Sequence, residues 1–329
     1  MPPPAGCSTN DTDNRLATLN LYYSPDYVGS AYSFETTRKA KWVADSLVAS
    51  PIEGIELVRP QALTSDQVLQ VHDREYVRAV ETGGHRYLAE SQGFTWDPGL
   101  WPMVLASNGG AVAAALDALK YGLSGSLSSG LHHARRRDGA GFCTFNGLVI
   151  AAREAMSAGA GSVLILDLDA HCGGGTASLI AEDPRIWQTD VAVDSFDFYG
   201  SAVVEQSRGR VRLELVHDSD EYLAQVERSL SEIEREGPRF DVCLYNAGMD
   251  PHEGCSIGGL AGITHEILAA RERLVFDWLG RQDCAVAFVM AGGYLGPSLD
   301  VARLVDLHRL TLSAAAESRL ARTAPPTAR

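Results

Sequence analysis

An α/β fold with a mainly parallel sheet, sandwiched by helices in three layers, is what this sequence predicts. Three observations carry that expectation. Short apolar runs of strand length recur along the chain, and longer segments with helical apolar spacing separate them. Glycine or polar residues close most of the runs. The chain has 329 residues, enough for one large domain, and no linker-like stretch, low-complexity block or internal repeat divides it.

Taken in order, strands are predicted in "TLNLYY", "IELVRP", "SLSSGL", "SVLILDLD", "VAVDS", "DVCLYNAG" and "CAVAFVMAGG". Helices are predicted in "FETTRKAKWVADSLVAS", "SDQVLQVHDREYVRAVETG", "NGGAVAAALDALKYGL", "NGLVIAAREAMSAG", "DEYLAQVERSLSEIERE", "THEILAARERLVFDWLG" and "LDVARLVDLHRLTLSAAAES". The polar, proline-punctuated ends, residues 1–16 and 316–329, are expected to be disordered. A single domain over residues 17–315 remains.

Composition narrows the function classes. The 45% hydrophobic and 21% charged content predicts an ordinary full core. A formal net charge of −14 argues against nonspecific nucleic-acid binding, which needs basic surface. It suits a cationic substrate, or simply solubility. Cys7, Cys143, Cys172, Cys243, Cys255 and Cys284 form no CxxC pair and read as reduced thiols of a cytoplasmic protein. The start "MPPPAGCSTNDTDN" has no apolar leader core, and no stretch reads as a membrane span, so no membrane partner is expected.

In parallel α/β sheets ligands bind beyond the carboxyl ends of the strands, which gives weight to four polar strand ends. "GLHHARR" carries His132 and His133; "DLDAHCGGGT" carries Asp167, Asp169 and His171; "NAGMDPHEG" carries Asp250 and His252; "MAGGYLG" carries Tyr294. Each has an ordinary reading: a loop, a polar network, a turn cap, core packing. Carboxylates are costly to bury unless paired or bound to a cation, and Asp167 and Asp169, two apart, face one side of a strand. A mixed set of Asp169, His171 and Asp250 suits a divalent transition metal, zinc first and Fe(II) second. Such an ion polarises a carbonyl and acidifies water. His132 or His133 would supply the general base and acid, and Tyr294 a donor to the developing oxyanion.

These motifs resemble the histone deacetylase family, within the arginase/deacetylase fold and close to its bacterial amidohydrolase-like members. The matches "YYSPDY", "HDREYV", "GLHHARRRDGAGFCTFNG", "VLILDLDAHCGGGT", "NAGMDPHEGCSIGGL" and "AGGY" run in order over roughly residues 19–300. By position, the resemblance implies Asp169, His171 and Asp250 as zinc ligands. His132 and His133 match the tandem catalytic histidines, and Tyr294 the transition-state tyrosine. Asp167 matches the carboxylate supporting His132, near a site for K+ or Na+. Gly141, Phe142 and His252 fall on the substrate tunnel, with Phe198 or Tyr199 as its opposite wall.

The departures are as informative. Members usually carry "HHGNGT" or "HHGDGT" where this chain has "HCGGGT". Gly174 therefore stands where an Asn or Asp orients the second histidine, and Cys172 replaces another histidine. The stretch "SAVVEQSRGRVRLELVHDSDEY" is short beside the family's long glycine-rich loop. Neither Arg74 nor Glu75 clearly matches the acidic residue that grips substrate in some members, and "RRRDG" reads as a solvated basic loop or, alternatively, as a segment that meets an acidic group.

The expected activity is hydrolysis of an N-acylated amine: a small metabolite such as an acetylpolyamine, or an acyl-lysine. Two alternatives remain, a catalytically dead binding protein and a ureohydrolase-like two-metal enzyme. Two-metal relatives need further aspartates, and Gly173 and Gly248 occupy the positions where these would stand. The oligomeric state stays open, a homo-oligomer included.

Overall fold

A computed structural model of the chain describes residues 18–32 and 34–323. The elements in chain order are β1 (Leu19–Tyr22), α1 (Glu35–Ala49), β2 (Ile55–Val58), α2 (Ser65–Leu69), α3 (Arg74–Thr82), α4 (Arg86–Ala89), α5 (Leu100–Tyr121) and β3 (Leu123–Ser126). Next come α6 (Gly147–Ser157), β4 (Val163–Asp167), α7 (Gly174–Ile180), β5 (Ile186–Ala192), α8 (Ser201–Ser207) and β6 (Val211–Leu215). The last are α9 (Ser219–Glu236), β7 (Val242–Ala247), α10 (His265–Arg281), β8 (Ala285–Met290) and α11 (Val301–Thr323).

The strands form one 8-stranded sheet in the order β2-β1-β3-β8-β7-β4-β5-β6. Every pairing is parallel. Alternation along the strands feeds two cores. Leu164 and Leu166 of β4, with Val286, Phe288 and Met290 of β8, meet α1, α9, α10 and α11 on one face. Val163 and Ile165, with Ala287 and Val289, meet α3, α5 and α6 on the other. Central strands buried on both sides explain why their sequences are nearly continuous apolar runs.

Several expectations shift. The strand placed at "SLSSGL" lies three residues earlier, at Leu123–Ser126, and the continuation forms the histidine-bearing loop. The edge strand β6, in the stretch read as a shortened loop, was not anticipated; its mixed burial weakens its pattern. The helix expected over "SDQVLQVHDREYVRAVETG" divides into α2 and α3, with Asp73 heading the second. Residues 316–323, expected to be disordered tail, continue α11, where Arg319 is buried. Residues 1–16, Cys7 and residues 324–329 lie outside the described residues. α5 is 22 residues long and contains an 18-residue window of mean hydropathy 1.2, long and apolar enough to cross a membrane. It packs instead within the second core, where Val104, Ala111 and Val112 are buried.

The carboxyl ends of β3, β8, β7, β4 and β5 lie side by side. The loops after them carry every polar strand end singled out in the sequence.

Candidate active site

The histidine loop after β3 is fixed by Asn146, which caps α6 by accepting from the Val149 amide at 3.0 Å. Its side-chain amide donates back to the loop, to the carbonyls of His132 (3.3 Å) and Ala134 (3.2 Å), and to Thr176 Oγ1 at 2.9 Å. His72, from "VHDREYV", braces the same loop from below. Its Nε2 accepts from the Asn146 amide at 3.0 Å, and its Nδ1 lies 2.8 Å from the Arg135 carbonyl. Burial lowers the His72 pKa to about 4, so a neutral ring with Nδ1–H serves both bonds.

His132 and His133 stand ring against ring, with centroids 3.9 Å apart, and each has its own carboxylate. His132 Nδ1 lies 2.8 Å from Asp167 Oδ2, and Asn246 donates to the other Asp167 oxygen at 2.8 Å. His133 Nδ1 lies 3.0 Å from Asp197 Oδ2. Burial alone would discharge both rings. At His132 the charges of Asp167 and Asp169 overcome it and raise the pKa to about 10. At His133 burial and the neighbouring His132 charge prevail over Asp197, and the pKa falls to about 4.

Asp169 and His171 follow β4 and meet Asp250 from the loop after β7. One ligand atom from each falls within 4.8 Å of the others, the one such group of metal-binding type among the described residues. His171 Nδ1 is 3.0 Å from Asp169 Oδ1 and 3.2 Å from Asp250 Oδ2. The second oxygens are anchored by backbone: Asp169 Oδ2 accepts from Gly292 at 2.6 Å, and Asp250 Oδ1 from Ala170 at 2.9 Å. Asp250 is fully buried, yet its Oδ2 receives no well-aligned hydrogen bond. Two buried carboxylates and an imidazole converging with an orphaned oxygen fit a divalent cation. The O/N donor set suits zinc or Fe(II).

A cleft of about 550 Å³ opens onto this triad, lined by His133, Gly141, Phe142, His171, Asp194, Phe196, Ser256, Ile257, Gly258 and Tyr294. A narrow space of about 30 Å³ beneath it reaches His132, Asp169, Gly292 and Thr36. Tyr294, buried by the loop after β8, sets its ring 6.4 Å from that of His171 and 6.3 Å from that of Phe142. Phe142, with φ +65°, stacks on Phe34 at 4.7 Å and forms one wall.

The opposite wall corrects the sequence reading. It is Phe196, whose ring meets His133 edge-on at 4.9 Å. Phe198 is exposed and does not line the cleft. Tyr199 is buried below, its hydroxyl donating to Asp190 at 2.5 Å. The cause is the left-handed Asp197, φ +61°, which breaks strand alternation after β5. His252 also stays out of the cleft: its Nδ1 accepts from the Gly254 amide at 3.0 Å. The "RRRDG" segment is more engaged than a solvated loop. Arg136 and Arg137 share Asp73 at 2.7 and 2.9 Å, and Arg135 pairs with Asp197 at the site. The sequence reading missed Asp197, Arg135, Asn246 and Phe196. Arg135 and Asn246 lay inside quoted motifs, while the one trace of Asp197 was the missing side chain at Gly174.

A parallel α/β sheet with a buried Asp-His-Asp triad and paired histidines at its strand ends has the architecture of a metal-site hydrolase. The histone deacetylase domain matches residues 33–308, and the chain belongs to that family. An uncharacterized protein of Picosynechococcus sp. is 32% identical over 304 residues, 90% of this chain and 97% of that protein. Histone deacetylase 2 of Arabidopsis thaliana is 25% identical over 307 residues, 88% of this chain and 78% of that protein. In fold, the chain is similar to the crystal structure of acetylpolyamine aminohydrolase from Burkholderia pseudomallei. The TM-score is 0.73 with 20% identity, over 91% of this chain and 98% of that one. Membership in this family places the chain among hydrolytic deacetylases.

Proposed function

We propose that the chain is a zinc-dependent deacylase that hydrolyses the amide of an N-acylated amine. The observation that carries this reading is the buried Asp169–His171–Asp250 group opening onto a cleft that also holds a histidine pair and a tyrosine. A divalent ion held by that group would polarise the amide carbonyl and make water acidic.

The side chains do the rest. His133, which lines both the cleft and the space beneath it, takes a proton from the attacking water and returns it to the leaving amine. His132, held by Asp167 at 2.8 Å, packs ring against ring on His133 and keeps it in place. The Tyr294 hydroxyl donates to the developing oxyanion. Phe142 and Phe196 flank the acyl-amine stem and exclude water. The products are a carboxylate and a free amine. A structural K+ or Na+ near Asp167 completes the proposal, supported by Asp190, buried across the strand pair from Asp167.

A cleft flanked by Phe142 and Phe196 and a chain of net charge −14 favour a small cationic N-acyl amine, acetylpolyamine-like, over an acyl-lysine in a protein. The fold neighbour named for acetylpolyamine hydrolysis points the same way. A two-metal ureohydrolase site finds no support. A Cβ at Gly248 would lie 2.5 Å from Asp169 Cα, so that position has no room for a ligand, and Gly173 brings no side chain of its own. The test is metal content together with turnover: Asp169→Ala is expected to lose both. Stoichiometric zinc retained by that variant would contradict the ligand assignment.

A further inference from the structure

The partner of His133 comes from a loop other than the one the motif points to. Asp167, Asp169 and His171 all belong to the strand end "DLDAHCGGGT", and in the family this segment also supplies the residue that orients the second histidine, at the position of Gly174. Here the carboxylate at His133 Nδ1 belongs to Asp197, 23 residues further on, in the connection between β5 and α8.

Three independent features show that this contact is built in. The Asp197 side chain is 4% exposed and fully engaged, accepting from His133 Nδ1 (3.0 Å), from the Gly175 amide (2.9 Å) and from the Arg135 guanidinium. Its backbone is left-handed at φ +61°, a conformation that side-chain-bearing residues rarely adopt. Such strain persists only where the surroundings fix it. Finally, a Cβ on Gly174 would lie 2.2 Å from the Asp197 carbonyl oxygen and 2.7 Å from its Oδ1. No side chain fits at position 174 while Asp197 is in place.

Resting on the deacylase reading, we infer that Asp197 is the positioning residue of His133 and that Gly174 is glycine because Asp197 fills the space its side chain would need. The carboxylate accepts Nδ1–H and so keeps the Nε2 lone pair facing the cleft, the tautomer that can take a proton from water. Arg135 anchors the carboxylate from the outer side, which ties the "RRRDG" loop to the histidine pair. An Asn or Asp restored at 174 would therefore collide with this arrangement instead of improving it.

The test has a readout that does not depend on turnover. In zinc-loaded enzyme labelled with 15N-histidine, the His133 signals are assigned by their loss in His133→Gln. At neutral pH the wild-type ring is expected to carry its proton on Nδ1, with Nε2 bare. In Asp197→Ala the signature moves toward the Nε2–H tautomer, and kcat falls about 10–100-fold with KM changed less than about threefold. Asp197→Asn still offers an accepting oxygen, so it keeps the wild-type tautomer and recovers most of kcat. Gly174→Ala, which displaces Asp197 without substituting either partner, reproduces the Asp197→Ala loss, and the two losses do not add in the double variant. A wild-type His133 protonated on Nε2 would overturn the inference, as would an Asp197→Ala enzyme with unchanged tautomer and kcat. Failure of the deacylase reading would appear separately, as wild-type enzyme with the Nδ1–H signature and no hydrolysis of any acyl amine.

Discussion

Gly292→Ala adds one methyl group where the site has no room for it. Gly292 follows β8, and its amide donates to Asp169 Oδ2 at 2.6 Å. Its φ is not left-handed, so the backbone accepts alanine and the effect is steric. The new Cβ would lie 1.8 Å from Asp250 Oδ2, 2.2 Å from Asp250 Cγ and 2.6 Å from Asp169 Oδ2. Non-bonded carbons need about 3.5 Å, so the Asp250 carboxyl must retreat by roughly 1.3 Å. Metal–ligand distances tolerate only about 0.2 Å. Zinc affinity should therefore fall at least 10–100-fold, the range seen when a ligand's support is lost, and turnover should fall with it. The overpacking itself costs about 1–3 kcal/mol, visible as a Tm a few degrees lower. Gly280→Ala is the control, since its Cβ meets nothing within 4 Å. The assay is chelator competition for zinc, with thermal melting of the metal-free protein. A Gly292→Ala enzyme that binds zinc within about threefold of wild type would refute the steric argument.

Other outcomes follow from the same geometry. Tyr294→Phe should keep stoichiometric metal while kcat falls about 10²–10³-fold, the cost of one oxyanion donor; a rate within a few-fold of wild type would remove Tyr294 from that role. Phe196→Ala should raise KM about 2- to 10-fold, the worth of one aromatic contact, with little change in kcat. Phe198→Ala should change neither, and steady-state kinetics on one substrate separates the two. Away from the site, burial alone would raise the Asp183 pKa, but Arg185 and Arg153 bring it down to about 2. Because this folded value lies below the unfolded one, the pair stabilises above about pH 4 and its contribution disappears as pH falls through 2. Asp183→Asn should then cost about 1 kcal/mol at pH 7, with the gap closing between pH 4 and 2 in urea unfolding. A gap independent of pH would contradict the ionic origin.

What the sequence made legible follows from where burial is strongest. The central strands β4 and β8 are apolar runs, and "SVLIL" or "CAVAFVM" can hardly be read otherwise. β6 escaped because "VRLEL" sits at a sheet edge with one residue exposed and three only partly buried. α7 escaped because it opens on the glycines of "HCGGGT". A helix there is set by tertiary contact, since a Cβ on Gly175 would strike the His133 carbonyl at 2.4 Å. Asp169, His171, Asp250, His132, His133 and Tyr294 were visible because each is a polar residue just beyond a strand-like run. The cleft wall was misplaced by two residues because one left-handed aspartate, not predictable from its neighbours, reverses which way the next side chains face. Asp197 itself left only an indirect trace, the missing side chain at Gly174.

The proposed activity is hydrolysis of an acyl amine with a single bound metal. The most direct test is acetate release from acetylated polyamines, acetyl-lysine peptides and small N-acetyl amines, with zinc-loaded, iron-loaded and chelated enzyme side by side. Release is expected to follow the metal at one ion per chain, strongest on the small cationic amines, abolished by chelation and restored by zinc. Full metal occupancy with no acetate from any class, or release undiminished by chelation, would contradict it.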